Sequence, residues 1–370
     1  MSALHANKRL QFGVSGFVVL AVLLATCTPA SAYTETVTVP IIVDYPDSIA
    51  AMGDSITRAY NTGGTPFTDA PANSWSTGIA ASVNSHYSRI LHDHSPASGR
   101  NYNDAVTGAV MAGLNGQVGN AVSQGAQYVT ILLGANDACT DTESQMTPVA
   151  TYRSQFQAAM GTLSAGLPDT RIYVLSVPDI YNLWFILKDN ASARFTWGLL
   201  GICQSMLANP QSQEPADVER RNRVRQRVVD YNTQLAQVCA GYIHCHFDNN
   251  AVFNTAFVPS DVSTRDYFHP AVAGHTKLAE VSYWAGFDFR DGVAPVSEAS
   301  VSGPLKNANY LVTITARDNV GVAGTEYRIG GGPYTRYSGP VSLPAGSSFT
   351  YRSVDVNGTI EEARTISVGR

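Results

Sequence analysis

Between residues 49 and 284 the chain alternates short apolar runs with longer helical patterns, and that alternation limits the fold more than any single motif does. The segments 48–52, 102–106, 128–133, 171–177 and 242–247 read as strands, and 151–164, 218–240 and 271–284 as helices. Strands apolar on both faces and separated by helices build a parallel sheet covered on both sides. The expected core is a three-layer α/β/α sandwich. The pattern stops near Arg290, where Arg290-Asp291-Gly292-Val293-Ala294-Pro295 forms a polar break. Beyond it, alternating runs at 310–316, 325–329, 348–355 and 363–368 are divided by turns such as Gly330-Gly331-Gly332-Pro333 and Val356-Asn357-Gly358, which predicts a small all-β sandwich.

The first residues carry a different signal. Lys8 and Arg9 precede an apolar stretch over 12–25, and Ala30-Ser31-Ala32 has the form of a cleavage site, so 1–32 reads as a secretory leader. A lipidation box ending at Cys27 is the weaker reading, because Thr26 precedes the cysteine and a good cleavage site follows. The expected organisation is a leader over 1–32, an α/β domain over 33–290, a linker over 291–295 and a β domain over 296–370. A secreted, extracellular, monomeric protein with no membrane span is expected. Removing the leader takes the formal charge of −5 further negative, since the leader holds two basic residues and no acidic ones. That sign argues against a nucleic-acid partner. Four cysteines remain, Cys139, Cys203, Cys239 and Cys245. In an oxidising compartment two disulfides are expected. Three pairings are open, of which Cys239 with Cys245 and Cys139 with Cys203 is favoured.

Met52-Gly53-Asp54-Ser55-Ile56-Thr57 follows the first strand and precedes an expected helix, which puts the Ser55 hydroxyl at the carboxyl edge of the sheet. Acyl transfer by a serine needs a base, a group that orients the base, and donors for the oxyanion. Asp266-Tyr267-Phe268-His269 offers a carboxylate and an imidazole three residues apart in a loop. Gly108, after the second strand, lets a backbone N–H approach a ligand, and Asn136, after the third, supplies a neutral side-chain donor.

Gly-Asp-Ser at 53–55, Gly108, Gly134-Ala135-Asn136-Asp137 and Asp266-Tyr267-Phe268-His269 together resemble the SGNH, or GDSL, esterases and lipases. The resemblance implies a flavodoxin-like fold and carboxylic ester hydrolysis without metal or organic cofactor. It implies Ser55 as nucleophile, His269 as base and Asp266 as its orienter, with Ser55, Gly108 and Asn136 forming the oxyanion hole. Asn73-Ser74-Trp75, Val83-Asn84-Ser85-His86 and Cys139 look like the secreted, phospholipase B-like branch, which favours a lipid or other acyl ester. An acetyl-sugar esterase, an acyltransferase and a surface-binding protein on a hydrolase scaffold remain open.

Residues 180–207 are rich in large apolar side chains. Trp184, Phe185, Leu187 and Trp197 read either as the wall of an acyl pocket or as a buried helical hairpin. Arg220, Arg221, Arg223, Arg225 and Arg227 read as a solvated helix face. His92 with His94, and His244 with His246, share H-x-H spacing that would put both rings of each pair on one strand face, yet no third ligand is in sight and no metal is expected. His275 is expected to pack. Tyr310, Tyr327, Tyr334 and Tyr337 are expected to pack across strands, with contact to a polysaccharide or cell surface as their alternative use.

Overall fold

The computed structural model describes residues 18–21, 36–39, 43–306 and 308–369. Two short strands, β1 (Val18–Ala21) and β2 (Thr36–Val39), pair antiparallel. The expected cleavage site at Ala30-Ser31-Ala32 lies outside the described residues.

Five strands form the central sheet: β3 (Ile49–Gly53), β4 (Asn101–Asn103), β5 (Tyr128–Leu132), β6 (Arg171–Val174) and β7 (Cys245–Phe247). They run parallel in the order β4-β3-β5-β6-β7. The order is that of flavodoxin-like sheets, and its reversal point lies between β3 and β5. Alternate side chains feed opposite layers. Met52, Val129, Ile131, Ile172 and Val174 join one apolar cluster, and Ile49, Tyr128, Leu132 and Tyr173 join the other. The first layer is closed by α2 (Leu114–Gln124), α4 (Val149–Gly166) and α8 (Pro215–Cys239), the second by α1 (His86–Asp93) and α9 (Val272–Trp284). The parallel three-layer arrangement therefore agrees with the sequence pattern. Two strands are shorter than their apolar runs suggest, since β4 ends at Asn103 and β7 begins only at Cys245.

Between β5 and α8 lie α3 (Ala135–Ala138), α5 (Ile180–Leu187), α6 (Ala191–Leu200) and α7 (Gln204–Leu207). Disulfides join Cys139 to Cys203 and Cys239 to Cys245. The first spans 64 residues and fastens the end of α3 to the start of α7.

The arginines of α8 correct the expectation of a solvated face. Arg221 is buried, donates to the carbonyl of Ser212 at 2.7 Å and lies 4.4 Å over the Trp184 ring. Arg220 donates to the carbonyls of Gln204, Ser205 and Ala208, Arg227 to that of Thr147, and Arg225 pairs with Asp179. Loop and helix-end carbonyls have lone pairs to fill, and the guanidinium groups of Arg220, Arg221 and Arg227 supply donors to them. Of the five, Arg223 and Arg225 stay on an exposed face, paired with Glu143 and Asp179.

The remaining strands are antiparallel. β8 (Val296–Ser302), β9 (Asn309–Arg317) and β12 (Val341–Pro344) make one sheet in the order β12-β9-β8. β10 (Val322–Ile329), β11 (Thr335–Arg336), β13 (Ser348–Asp355) and β14 (Arg364–Ser367) make the other, in the order β11-β10-β13-β14. Val312, Ile314, Leu343, Phe349, Tyr351 and Val368 form their shared core. The Tyr327 ring stacks on Phe349 and meets Tyr337 edge-on, whereas Tyr334 sits beneath Arg328 and Arg352. Polar contacts join these sheets to the α/β part: Arg352 pairs with Asp169, and Arg171 donates to the carbonyl of Asn357 at 2.8 Å.

Candidate active site

The site forms where β3, β4 and β5 end. Gly53 closes β3 in a space that excludes any side chain, because a Cβ there would lie 2.5 Å from both the Leu132 carbonyl oxygen and Thr57 Oγ1. The Gln117 side chain clamps it, accepting its N–H at 2.8 Å and donating to its carbonyl at 2.9 Å. Ser55 stands two residues on. No helix follows it, contrary to expectation. Residues 55–60 form successive turns, with the Tyr60 N–H reaching back to the Ser55 carbonyl at 3.0 Å, and Ala59 and Asn61 take φ of +52° and +66°. Positive φ cannot be continued in a right-handed helix. Asp54, beside the serine, is buried, and burial pushes its carboxyl up to about 6.

The loop before α9 supplies the partner groups. Tyr267 takes φ of +56°, so the chain folds back and Asp266 Oδ1 accepts the N–H groups of Phe268 and His269 at 3.0 and 3.1 Å. Asp266 Oδ2 lies 2.7 Å from His269 Nδ1, and His269 Nε2 lies 2.8 Å from Ser55 Oγ. A carboxylate only accepts, so Nδ1 carries the ring proton and Nε2 is free to accept from the serine hydroxyl. Burial acts to raise the Asp266 carboxyl, but the hydrogen bond and charge of His269 outweigh it and hold the group below the usual carboxylate range.

Two segments converge on Ser55. The chain after β4 runs beside the end of β3, with the Val106 N–H on the Gly53 carbonyl at 3.1 Å, and Gly108 follows at φ +82°. After β5, Gly134 turns the chain against Tyr152 and Val177, whose atoms would meet a Cβ at 2.6 and 2.7 Å. That turn starts α3, where Asn136 Nδ2 donates to the Ala109 carbonyl at 2.9 Å and Asp137 accepts the Met111 N–H at 2.9 Å. Among the described residues, the N–H groups of Ser55 and Gly108 have no protein acceptor. The structure thus brings Ser55, Gly108, Asn136, Asp266 and His269 to one edge of the sheet, on either side of its reversal point.

The suggested pocket wall needs correction. Trp184, Leu187 and Trp197 are buried, Phe185 is exposed, and none of the four lines the cavity beside His269. The indole N–H of Trp184 donates to the Pro210 carbonyl at 2.8 Å, and that of Trp197 to the Tyr267 carbonyl at 2.9 Å, so each indole is turned into the protein by its polar atom. The cavity itself, of about 80 Å³, is mainly apolar, and Ile56, Ile180, Leu183, Phe257, Val262 and Phe268 line it beside His269.

Asn61 was not foreseen. Its Nδ2 donates to Asp266 Oδ2 across 205 residues of sequence, and its Oδ1 accepts the Phe67 N–H at 2.6 Å. A turn-forming Asn-Thr-Gly-Gly run gives no sign of so distant a partner. One histidine pair also departs from expectation: His92 lies in the last turn of α1 and His94 caps it, so they share no strand face. His275 is fully buried in α9.

A model of the GDSL-like lipase/acylhydrolase family matches residues 51–277. Comparison with curated proteins finds no match. Among solved structures, the chain is similar to an extracellular lipase from Streptomyces rimosus, with 18% identity, 64% of this chain and 99% of that chain covered, and a TM-score of 0.40. It is similar to phospholipase A1 from Streptomyces albidoflavus NA297 at 15% identity, with 66% and 100% covered and a TM-score of 0.38. A family 3 carbohydrate esterase from Clostridium thermocellum is 13% identical, with 64% and 93% covered and a TM-score of 0.36.

Proposed function

Since the chain belongs to the GDSL-like lipase/acylhydrolase family, we propose that it is a secreted serine esterase that hydrolyses esters of apolar acyl groups through an acyl-enzyme on Ser55. The unbroken hydrogen-bonded line from Ser55 through His269 to Asp266 carries this reading. Ser55 Oγ attacks the ester carbonyl carbon while its proton passes to His269 Nε2. The carbonyl oxygen becomes an oxyanion, met by the N–H groups of Ser55 and Gly108 and the amide of Asn136. Collapse of this intermediate returns the proton from His269 to the departing alcohol. Water, deprotonated by His269, then releases the acid and restores Ser55. Asp266 stays ionised throughout and holds the imidazole in the productive tautomer.

The apolar lining beside His269 supports an acyl group over a polar one, and the two disulfides with the leader-like N-terminus support export. A panel of acetate, butyrate and octanoate esters, together with a phospholipid and acetylated xylan, tests the substrate class. Faster turnover of butyrate and octanoate than of acetate is expected. Preference for acetylated xylan would overturn the acyl assignment and leave the Ser55 chemistry standing.

A further inference from the structure

Three carboxylates from separate segments meet where the C-terminal sheets join the α/β part. Asp291 lies between α9 and β8, Asp318 in the turn from β9 to β10, and Asp355 at the end of β13. One carboxylate oxygen of each lies within 4.8 Å of the other two. The turns use half of each of the last two groups. Asp318 Oδ1 accepts the N–H groups of Val320 and Gly321 at 2.9 and 3.0 Å, and Asp355 Oδ1 those of Asn357 and Thr359, both at 2.8 Å. The other oxygens, Asp318 Oδ2 and Asp355 Oδ2, are buried and have no hydrogen-bond partner among the described residues, and Asp355 as a whole is 1% exposed. Asp291 is held in place from several sides: Asn319 Nδ2 and the Val293 N–H donate to its Oδ1, Asn357 Nδ2 to its Oδ2, and Thr359 Oγ1 to its carbonyl.

Arg171, Arg290 and Arg352 are engaged elsewhere. Arg171 pairs with Asp44, Arg290 with Asp288, and Arg352 with Asp169 and Glu326. The cluster therefore gathers negative charge and buried, unpartnered oxygens with no balancing side chain among the described residues, an arrangement that costs stability unless a cation joins it. Burial, reinforced by the Asp318 charge, pushes the Asp355 carboxyl up to about 6.

We propose that Asp291, Asp318 and Asp355 bind a calcium ion that ties the segment after α9 to the C-terminal sheets. An all-oxygen donor set selects a hard cation. Calcium accepts six to eight oxygens in flexible geometry, which suits carboxylates already positioned by turns and leaves room for water; magnesium requires a near-ideal octahedron. Such an ion would fix the junction between the two parts of the chain, far in sequence from Ser55.

Full-length protein titrated with CaCl2 alone tests this. Calorimetry should show saturable binding with a Kd of about 10⁻³ M or tighter, as in extracellular calcium modules. The melting temperature should rise by about 3 °C or more between EDTA and excess CaCl2. The double variant Asp318→Asn/Asp355→Asn should lose that rise while keeping turnover of a soluble ester, and in EDTA it should melt no lower than wild type. If the double variant does not fold, the half-buried Asp291→Asn variant reads the same loss. No saturable heat on wild type, an equal calcium response in a folded variant, or a response to MgCl2 matching that to CaCl2 would overturn the proposal.

Discussion

Asp266 and Asp355 are buried aspartates built alike: each folds its own turn by accepting two backbone N–H groups on Oδ1. They differ at the second oxygen. Asp266 Oδ2 meets His269 and Asn61, whereas Asp355 Oδ2 meets no protein donor among the described residues. The carboxyls move in opposite directions as a result. Burial opposes the fall at Asp266 but His269 wins, while at Asp355 burial prevails and pushes the group up to about 6. The same turn thus makes a completed electrostatic site in one place and an open one in the other, and the partner of the second oxygen is what distinguishes them.

The sharpest way to break the completed site is at its base. His269→Ala should lower kcat by about 10⁴-fold to 10⁶-fold, as expected when one member of a cooperating triad is lost. Asp266→Asn should cost less, about 10²-fold to 10⁴-fold, because it misorients a base that is still present. Steady-state kinetics on one soluble ester compares them, and equal losses would contradict the division of roles.

Stability against pH separates the two parts of the molecule next. In the α/β part, His86 and His275 are fully buried, and burial lowers each to about 3. Between about 6.5 and 3 the unfolded chain takes up these protons and the folded chain does not, so stability is lost as pH falls, by up to several kcal/mol. Asp355 works in the opposite sense. Its folded value lies above its unfolded one, so in EDTA its contribution, about 1–3 kcal/mol, is present at low pH and lost as pH rises through about 6. Denaturant unfolding across this pH range should show a shallower acid loss for His275→Leu and a steeper one for Asp355→Asn. Matching slopes in wild type and both variants would remove the contrast.

The smallest effect probes the second oxygen of Asp266 directly. Asn61→Ala removes one donor to a charged acceptor and should lower kcat about tenfold with little change in KM. A loss confined to KM would show that Asn61 acts elsewhere.

Much of this was legible in the sequence, for a physical reason. Short runs apolar on both faces, with helical patterns between them, report burial, so the strands around Ile49, Tyr128 and Arg171 were readable, and with them the placement of Ser55, Gly108 and Asn136 just beyond strand ends. The Asp266-to-His269 spacing was readable because both groups share one turn. Groups whose role depends on a partner far along the chain were not. Nothing near Asn61 points to Asp266, and nothing in the run of arginines tells whether Arg221 meets water or the carbonyls around Ser212. The apolar richness of 180–207 was visible, but not that Trp184 and Trp197 turn inward toward carbonyl acceptors while Ile180 and Leu183 face the cavity. The helix expected after Ser55 failed on backbone conformation, since Ala59 offers no residue-type warning of positive φ.

The central claim is that Ser55 is the nucleophile. Treating the protein with an alkyl phosphonate and mapping the adduct by peptide mass spectrometry tests it most directly. One phosphonyl group on Ser55, gained in step with the loss of esterase activity and absent in Ser55→Ala, is the predicted result. Activity lost while Ser55 remains unmodified, or full activity in Ser55→Ala, would contradict it.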